Sequence, residues 1–112
     1  MIYNDAFSDC IGLISVSLPA SLVTLGSYAF SGCTGLTSII IPEVTKTVGY
    51  HAFGSCPGLT TVTFKGTPTS INSNTFANCS ALTTINVPWS EGVVANAPWD
   101  ATNATINYNY TK

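Results

Sequence analysis

Apolar residues return along this chain at one fixed interval. Phe7, Phe30, Phe53 and Phe76 stand 23 residues apart, and so do Cys10, Cys33, Cys56 and Cys79. Leu13, Leu36, Leu59 and Leu82 keep the same spacing. Two further columns follow: Val16, Ile39, Val62 and Ile85, then Leu18, Ile41, Phe64 and Val87. Within each repeat these last two lie two residues apart, which puts both side chains on one face of a strand. The segments, such as "TSIII" and "TTVTF", are rich in β-branched residues that suit strands. Pro19, Pro42 and Pro88 end three of them, because proline cannot donate the next ladder hydrogen bond. Lys65 holds that place in the third repeat.

A second apolar column runs through Ile2, Leu25, Val48 and Ile71, each of the last three followed by Gly26, Gly49 or Asn72. Gly and Asn tolerate positive φ, so this column predicts a left-handed turn. Gly12, Gly35 and Gly58 mark another turn, with Ala81 in the fourth repeat.

Parallel strands need a crossover of a dozen or more residues. A period of 23 gives a strand of about 5 residues and about 18 for the way round. One such coil cannot bury enough to stand alone, so coils stack and share a core. No stretch shows helical apolar periodicity over three turns. The pattern predicts a mainly β solenoid of about four coils with short parallel strands, and "AFxxC" forms the inward corner of each coil.

The fuller string, Ala-Phe-x-x-Cys-x-x-Leu-x-x-Ile-x-Ile-Pro and then x-x-x-x-x-Val-Gly, resembles the BspA-like class of leucine-rich repeat. The resemblance covers residues 2 to about 97. It implies a right-handed leucine-rich repeat solenoid whose parallel sheet lines a concave side. It also implies adhesion or partner binding rather than catalysis, since family members are typically surface proteins of bacteria and some protists. No residue-level site is transferred by it.

On this reading residues 1–97 form the solenoid, which begins mid-repeat, and residues 98–112 form a C-terminal cap. Trp99 falls in the Phe column, and Tyr108 and Tyr110 fall in the two strand columns. The segment "TINYNY" is therefore expected to be a capping strand. At the other end no complete strand precedes the first coil. That edge is expected to be covered by upstream repeats, a partner subunit or another copy of the chain, because unpaired edges template association.

Charge narrows the partners. Only 7% of the 112 residues are charged, there is no Arg, and the net charge is −2. No basic cluster is present to neutralise phosphates, which argues against nucleic acid. No apolar run approaches the ~18 residues of a membrane-spanning helix, which argues against membrane insertion. The N-terminus lacks the basic and apolar regions of a signal peptide.

Chemistry is sparse. No two Cys lie closer than 23 residues, unlike the short pairs of zinc sites, so no metal is expected. Stacked coils would bring adjacent Cys to about the 4.8 Å strand spacing. A buried thiol ladder is favoured there, because stacked copies point their Cβ atoms in parallel; disulfides between neighbouring coils remain the alternative. His51 is the sole histidine and reads as a turn residue. Asp5, Asp9, Glu43, Glu91 and Asp100 lie on different coils, and a nucleophile needs a base, so no enzyme and no cofactor are expected. Asn78-Cys79-Ser80 and Asn103-Ala104-Thr105 match a glycosylation acceptor, a common chance match in an Asn/Thr-rich chain.

A binding surface remains. Outward strand positions form one column of Ser15, Ser38, Thr61 and Thr84 and another of Ser17, Ile40, Thr63 and Asn86, with Ile14, Thr37, Thr60 and Thr83 beside them. Ser38, Ile40, Thr61, Thr63, Thr84 and Asn86 are the candidate contacts on the concave face for a protein or glycan. Tyr3, Tyr28, Tyr50 and Trp89 form a second candidate patch on the turn side. The expectation is a non-catalytic binding or adhesion module, extracellular or at the surface of a bacterium. The alternative is a virion component of a phage, such as a tail or head-decoration protein.

Overall fold

The computed structural model describes residues 4–16, 18–95, 97, 99–101 and 104–110. Its strands are β1 (Thr24–Leu25), β2 (Ser38–Ile41), β3 (Thr47–Val48), β4 (Thr61–Phe64), β5 (Ser70–Ile71), β6 (Thr84–Asn86) and β7 (Thr105–Asn107). They form two parallel sheets, ordered β1-β3-β5 and β2-β4-β6-β7. The chain winds as a β-solenoid of about three turns, with no helix among the described residues. Register follows the repeat: Ile39 lies opposite Val62, which lies opposite Ile85. Pro42 ends β2, whereas Lys65 in the same column donates its N–H to the Ile41 carbonyl at 3.0 Å. That is the bond proline cannot make.

The core sits between the two sheets and repeats itself coil by coil. Phe7, Phe30, Phe53 and Phe76 stack in sequence with centroids 5.1, 5.5 and 5.8 Å apart. Trp99 continues the column edge-on, 6.3 Å from Phe76, and is fully buried. Ala29 and Ala52 fill the corner before the Phe, and Thr75 replaces them in the next coil. The Thr75 hydroxyl is buried but satisfied, donating to the Asn72 carbonyl at 2.8 Å.

The second sheet is a departure from the sequence expectation. The Leu25, Val48 and Ile71 column was expected only to precede a turn, yet it forms β1, β3 and β5. Two residues per coil are too few for an alternating pattern to show. The left-handed turn also lies elsewhere. Gly49 has no positive φ; Tyr28 and His51, two residues on from Gly26 and Gly49, take φ of 59° and 51°. A second left-handed column runs through Asp9, Gly32, Ser55 and Asn78. Gly49 is needed for closeness instead: a Cβ there would lie 2.7 Å from the Ser27 nitrogen of the previous coil. Gly35 and Gly58 likewise stand where a Cβ would meet the Ile11 and Thr34 carbonyls, both at 2.9 Å.

Both ends differ from the repeat. Residues 14–16 and 18 carry no strand, although the Thr37 N–H donates to the Ile14 carbonyl at 3.2 Å. Val16 and Leu18 are half-buried where Ile39 and Ile41 are fully buried. In the last coil Ile106, not Tyr108, lies opposite Ile85. The return there takes 21 residues, so Ile106 and Tyr108 occupy the columns expected for Tyr108 and Tyr110. Ser17, Asn103 and Tyr3 lie outside the described residues.

Candidate functional site

Strands β2 and β4 alternate buried and outward residues, as their period of two requires, whereas β6 has Ile85 and Asn86 both buried. The outward set contains the six candidates, but they are not equivalent. Ser38 is exposed, and Ile40 is 55% exposed. Thr61, Thr63 and Thr84 are half-buried. Asn86 is buried, at 6% exposure, and is engaged from both sides. It donates from Nδ2 to Thr63 Oγ1 at 3.2 Å and accepts at Oδ1 from Asn107 Nδ2 at 2.8 Å. Its amide is a rung of a polar ladder rather than an open contact.

The neighbouring threonine column is similarly occupied. The Thr60 hydroxyl donates to the Thr37 carbonyl at 3.0 Å, and Thr83 donates to the Thr60 carbonyl at 3.5 Å. These hydroxyls tie adjacent coils together. The open chemistry of the face gathers at its β2 edge. A groove of about 870 Å³ runs there between the first coil and β2, lined by Val16, Leu18, Ile40, Pro42 and Val44, with Glu43 and Lys65 at its margin. Ile40 and Val44 are both exposed in it. Sequence reasoning named Ile40 and missed the groove, because a concavity formed by the first coil, β2 and the segment after it leaves no trace in a repeat.

The turn-side patch divides. Trp89, expected outside, is buried against Phe64 and Trp99 at 5.4 and 6.2 Å. Tyr28 and Tyr50 are exposed and meet edge-on at 5.5 Å. Partial loss of water around the Tyr28 hydroxyl pushes it up from its ordinary value, and Tyr50 beside it adds to the shift. His51 joins them, stacked on Tyr28 at 5.3 Å and 4.4 Å from Tyr50. The signal for His51 was present, since it stands in the Tyr28 column.

The four cysteines are free thiols, three of them buried. Cys33, Cys56 and Cys79 each donate to a Phe carbonyl of the previous coil, Phe7, Phe30 and Phe53, at 3.1, 3.2 and 2.9 Å. The neighbouring Cys56 and Cys79 thiols shift in opposite directions through their mutual interaction, Cys56 up and Cys79 down, while burial pushes Cys33 up.

Among known proteins, the family model described as a BspA type leucine rich repeat region, in 6 copies, matches residues 1–97. No curated protein and no solved structure matches the chain. The match spans the whole run of stacked coils, from the Phe7 corner through β6. The chain belongs to the BspA-type leucine-rich repeat family.

Proposed function

We propose that this chain is a non-catalytic binding module, acting outside the cell or at a bacterial surface. It takes a protein or glycan partner on the open face of the four-stranded sheet. The observation that carries this reading is Ile40, exposed beside the apolar groove on a rigid ladder of Ser and Thr. Interface energy concentrates where an apolar anchor is withdrawn from water inside a polar surround. The lining of Val16, Leu18, Pro42 and Val44 favours an apolar side chain of a protein partner in the groove. Ser38, Thr61, Thr63 and Thr84 supply the rim. The family supports the coarser part of the reading, since BspA-type repeats are often found in surface or secreted proteins. In the same reading residues 1–97 are the solenoid and 98–112 its cap, attached through Trp99 and β7.

The test is capture by the immobilised chain from a panel of purified secreted and cell-surface proteins. Ile40→Lys and Thr63→Lys should abolish capture, whereas Val93→Lys, at an exposed site on the loop after β6, should not. Capture that survives both sheet-face changes would reject the assignment.

A further inference from the structure

The turn side carries a surface unlike the sheet face. Tyr28 and His51 share a column, and their rings stack at 5.3 Å with 25° between planes. Tyr50 lies 4.4 Å from the His51 ring. Tyr28 and Tyr50 remain 38% and 40% exposed, so this group keeps aromatic surface open to solvent instead of closing on itself.

His51 also belongs to a cleft. It forms one wall of a space of about 440 Å³ whose other polar walls are Asn74, Asn78, Ser80 and Asp100. That volume lies within the roughly 300–1,000 Å³ of small-molecule sites. Its chemistry differs from that of most of them, since polar side chains make up most of the lining. The Ser73 hydroxyl donates to Asn74 Oδ1 at 3.0 Å. Asn78 and Asp100 are exposed, with φ of 61° and 67°.

An apolar ligand would desolvate these polar groups without replacing their hydrogen bonds. A strongly anionic ligand would meet the Asp100 carboxylate. A neutral ligand with hydroxyls on its rim and C–H groups on one face meets neither difficulty. Its hydroxyls can donate to the Asp100 carboxylate and exchange hydrogen bonds with the Asn74 and Asn78 amides. Its C–H face can pack on an aromatic ring, whose face is electron-rich. We propose that the cleft and its Tyr28, Tyr50 and His51 flank form a sugar-binding subsite for one neutral pyranose unit of a glycan. The subsite shares no residue with the sheet-face groove, and it stands or falls independently of the function proposed above.

The test is an amide-resolved NMR titration of the full chain with methyl β-D-galactopyranoside, methyl α-D-mannopyranoside and N-acetyl-D-glucosamine. At least one should shift the amides of His51, Asn74 and Asn78 saturably and perturb the ring protons of Tyr50. Tyr50→Ala and His51→Gly, the latter keeping the positive φ, should each weaken that sugar by roughly three- to tenfold. Unchanged amide shifts in β4 would show that these variants are folded, and Ile40→Lys should bind the sugar normally. The proposal is overturned if all three sugars leave the cleft amides unmoved at high millimolar concentration. It is equally overturned if a sugar binds and both ring variants retain full affinity. Loss of a captured protein in Tyr50→Ala, with no sugar response, would assign the patch to a protein and overturn it too.

Discussion

The Cys79 thiol donates to the Phe53 carbonyl of the preceding coil at 2.9 Å. The same bond recurs from Cys56 to Phe30 and from Cys33 to Phe7. The "AFxxC" corner is therefore a joint: the Phe of one coil stacks on the next Phe, and its carbonyl receives the thiol 26 residues later.

This joint sets the reactivity of the thiols. Cys10 is half-buried, while Cys33, Cys56 and Cys79 are buried. A thiol reagent should label native protein first at Cys10 and slowly at the other three, and denatured, unreduced protein should show all four. Fewer than four after denaturation would mean that disulfides form.

Alkaline stability follows from the same ladder. Burial makes the Cys33 thiol titrate higher in the folded chain than in the unfolded one. A group with a raised folded value stabilises fully below its unfolded value, about 8.5 for a thiol, and that stabilisation is lost as pH rises beyond it. The urea midpoint should fall between about pH 8.5 and about pH 10, and Cys33→Ala should flatten the fall. An unaltered slope in that variant would count against the ladder as its source.

Position along the Phe column should decide the cost of truncation. Phe53 is fully buried between Phe30 and Phe76, whereas Phe7 is 39% exposed and, among the described residues, stacks only on Phe30. Phe53→Ala should cost about 3–5 kcal/mol and Phe7→Ala clearly less. Equal shifts in urea midpoint would contradict the stacking order.

Glycines that look alike in the repeat should behave differently. A Cβ on Gly49 would meet the Ser27 nitrogen at 2.7 Å and the Gly26 carbonyl carbon at 2.8 Å, backbone atoms that cannot swing aside. A Cβ on Gly12 would meet nothing within 4 Å. Gly49→Ala should cost about 1–3 kcal/mol. Gly12→Ala should be neutral or stabilise by up to about 1 kcal/mol, through lower entropy of the unfolded chain. Thermal melts of the two variants provide the comparison.

Much of this was readable in the sequence because a repeat multiplies weak signals. One Phe means little, but Phe7, Phe30, Phe53 and Phe76 in phase fix a core column. The β2-β4-β6 register was legible for the same reason. What escaped was whatever breaks the period or carries no pattern. The shorter last coil moved Ile106 into the place expected for Tyr108. Gly49 looked like a turn glycine because sequence does not separate the need for positive φ from the need for a missing Cβ. On the sheet face, Asn86 was seen as outward, but its burial depends on Asn107, a residue off the repeat.

That contact between Asn86 and Asn107 gives the last prediction. Asn107 Nδ2 donates to Asn86 Oδ1 at 2.8 Å, and Asn86 Nδ2 donates to Thr63 Oγ1 at 3.2 Å. The side chains thus link β4, β6 and β7 alongside the backbone ladder. Asn86 is buried and has little access to water if a partner is lost, whereas Asn107 is exposed and can turn its amide to solvent. The two truncations should therefore be unequal. Asn86→Ala should cost about 1–2 kcal/mol, since it removes both bonds, and Asn107→Ala about 0.5–1 kcal/mol. A double-mutant cycle should return a coupling of about 0.5–1 kcal/mol, the ordinary worth of one hydrogen bond. β7 pairs with β6 as the last strand of its sheet, so the loss should appear there first. In Asn86→Ala, amide exchange at Thr105 and Ile106 should accelerate while Val62 in β4 stays protected. Uniform acceleration across β4 and β7 would show that the ladder supports the whole solenoid and not the attachment of its last coil.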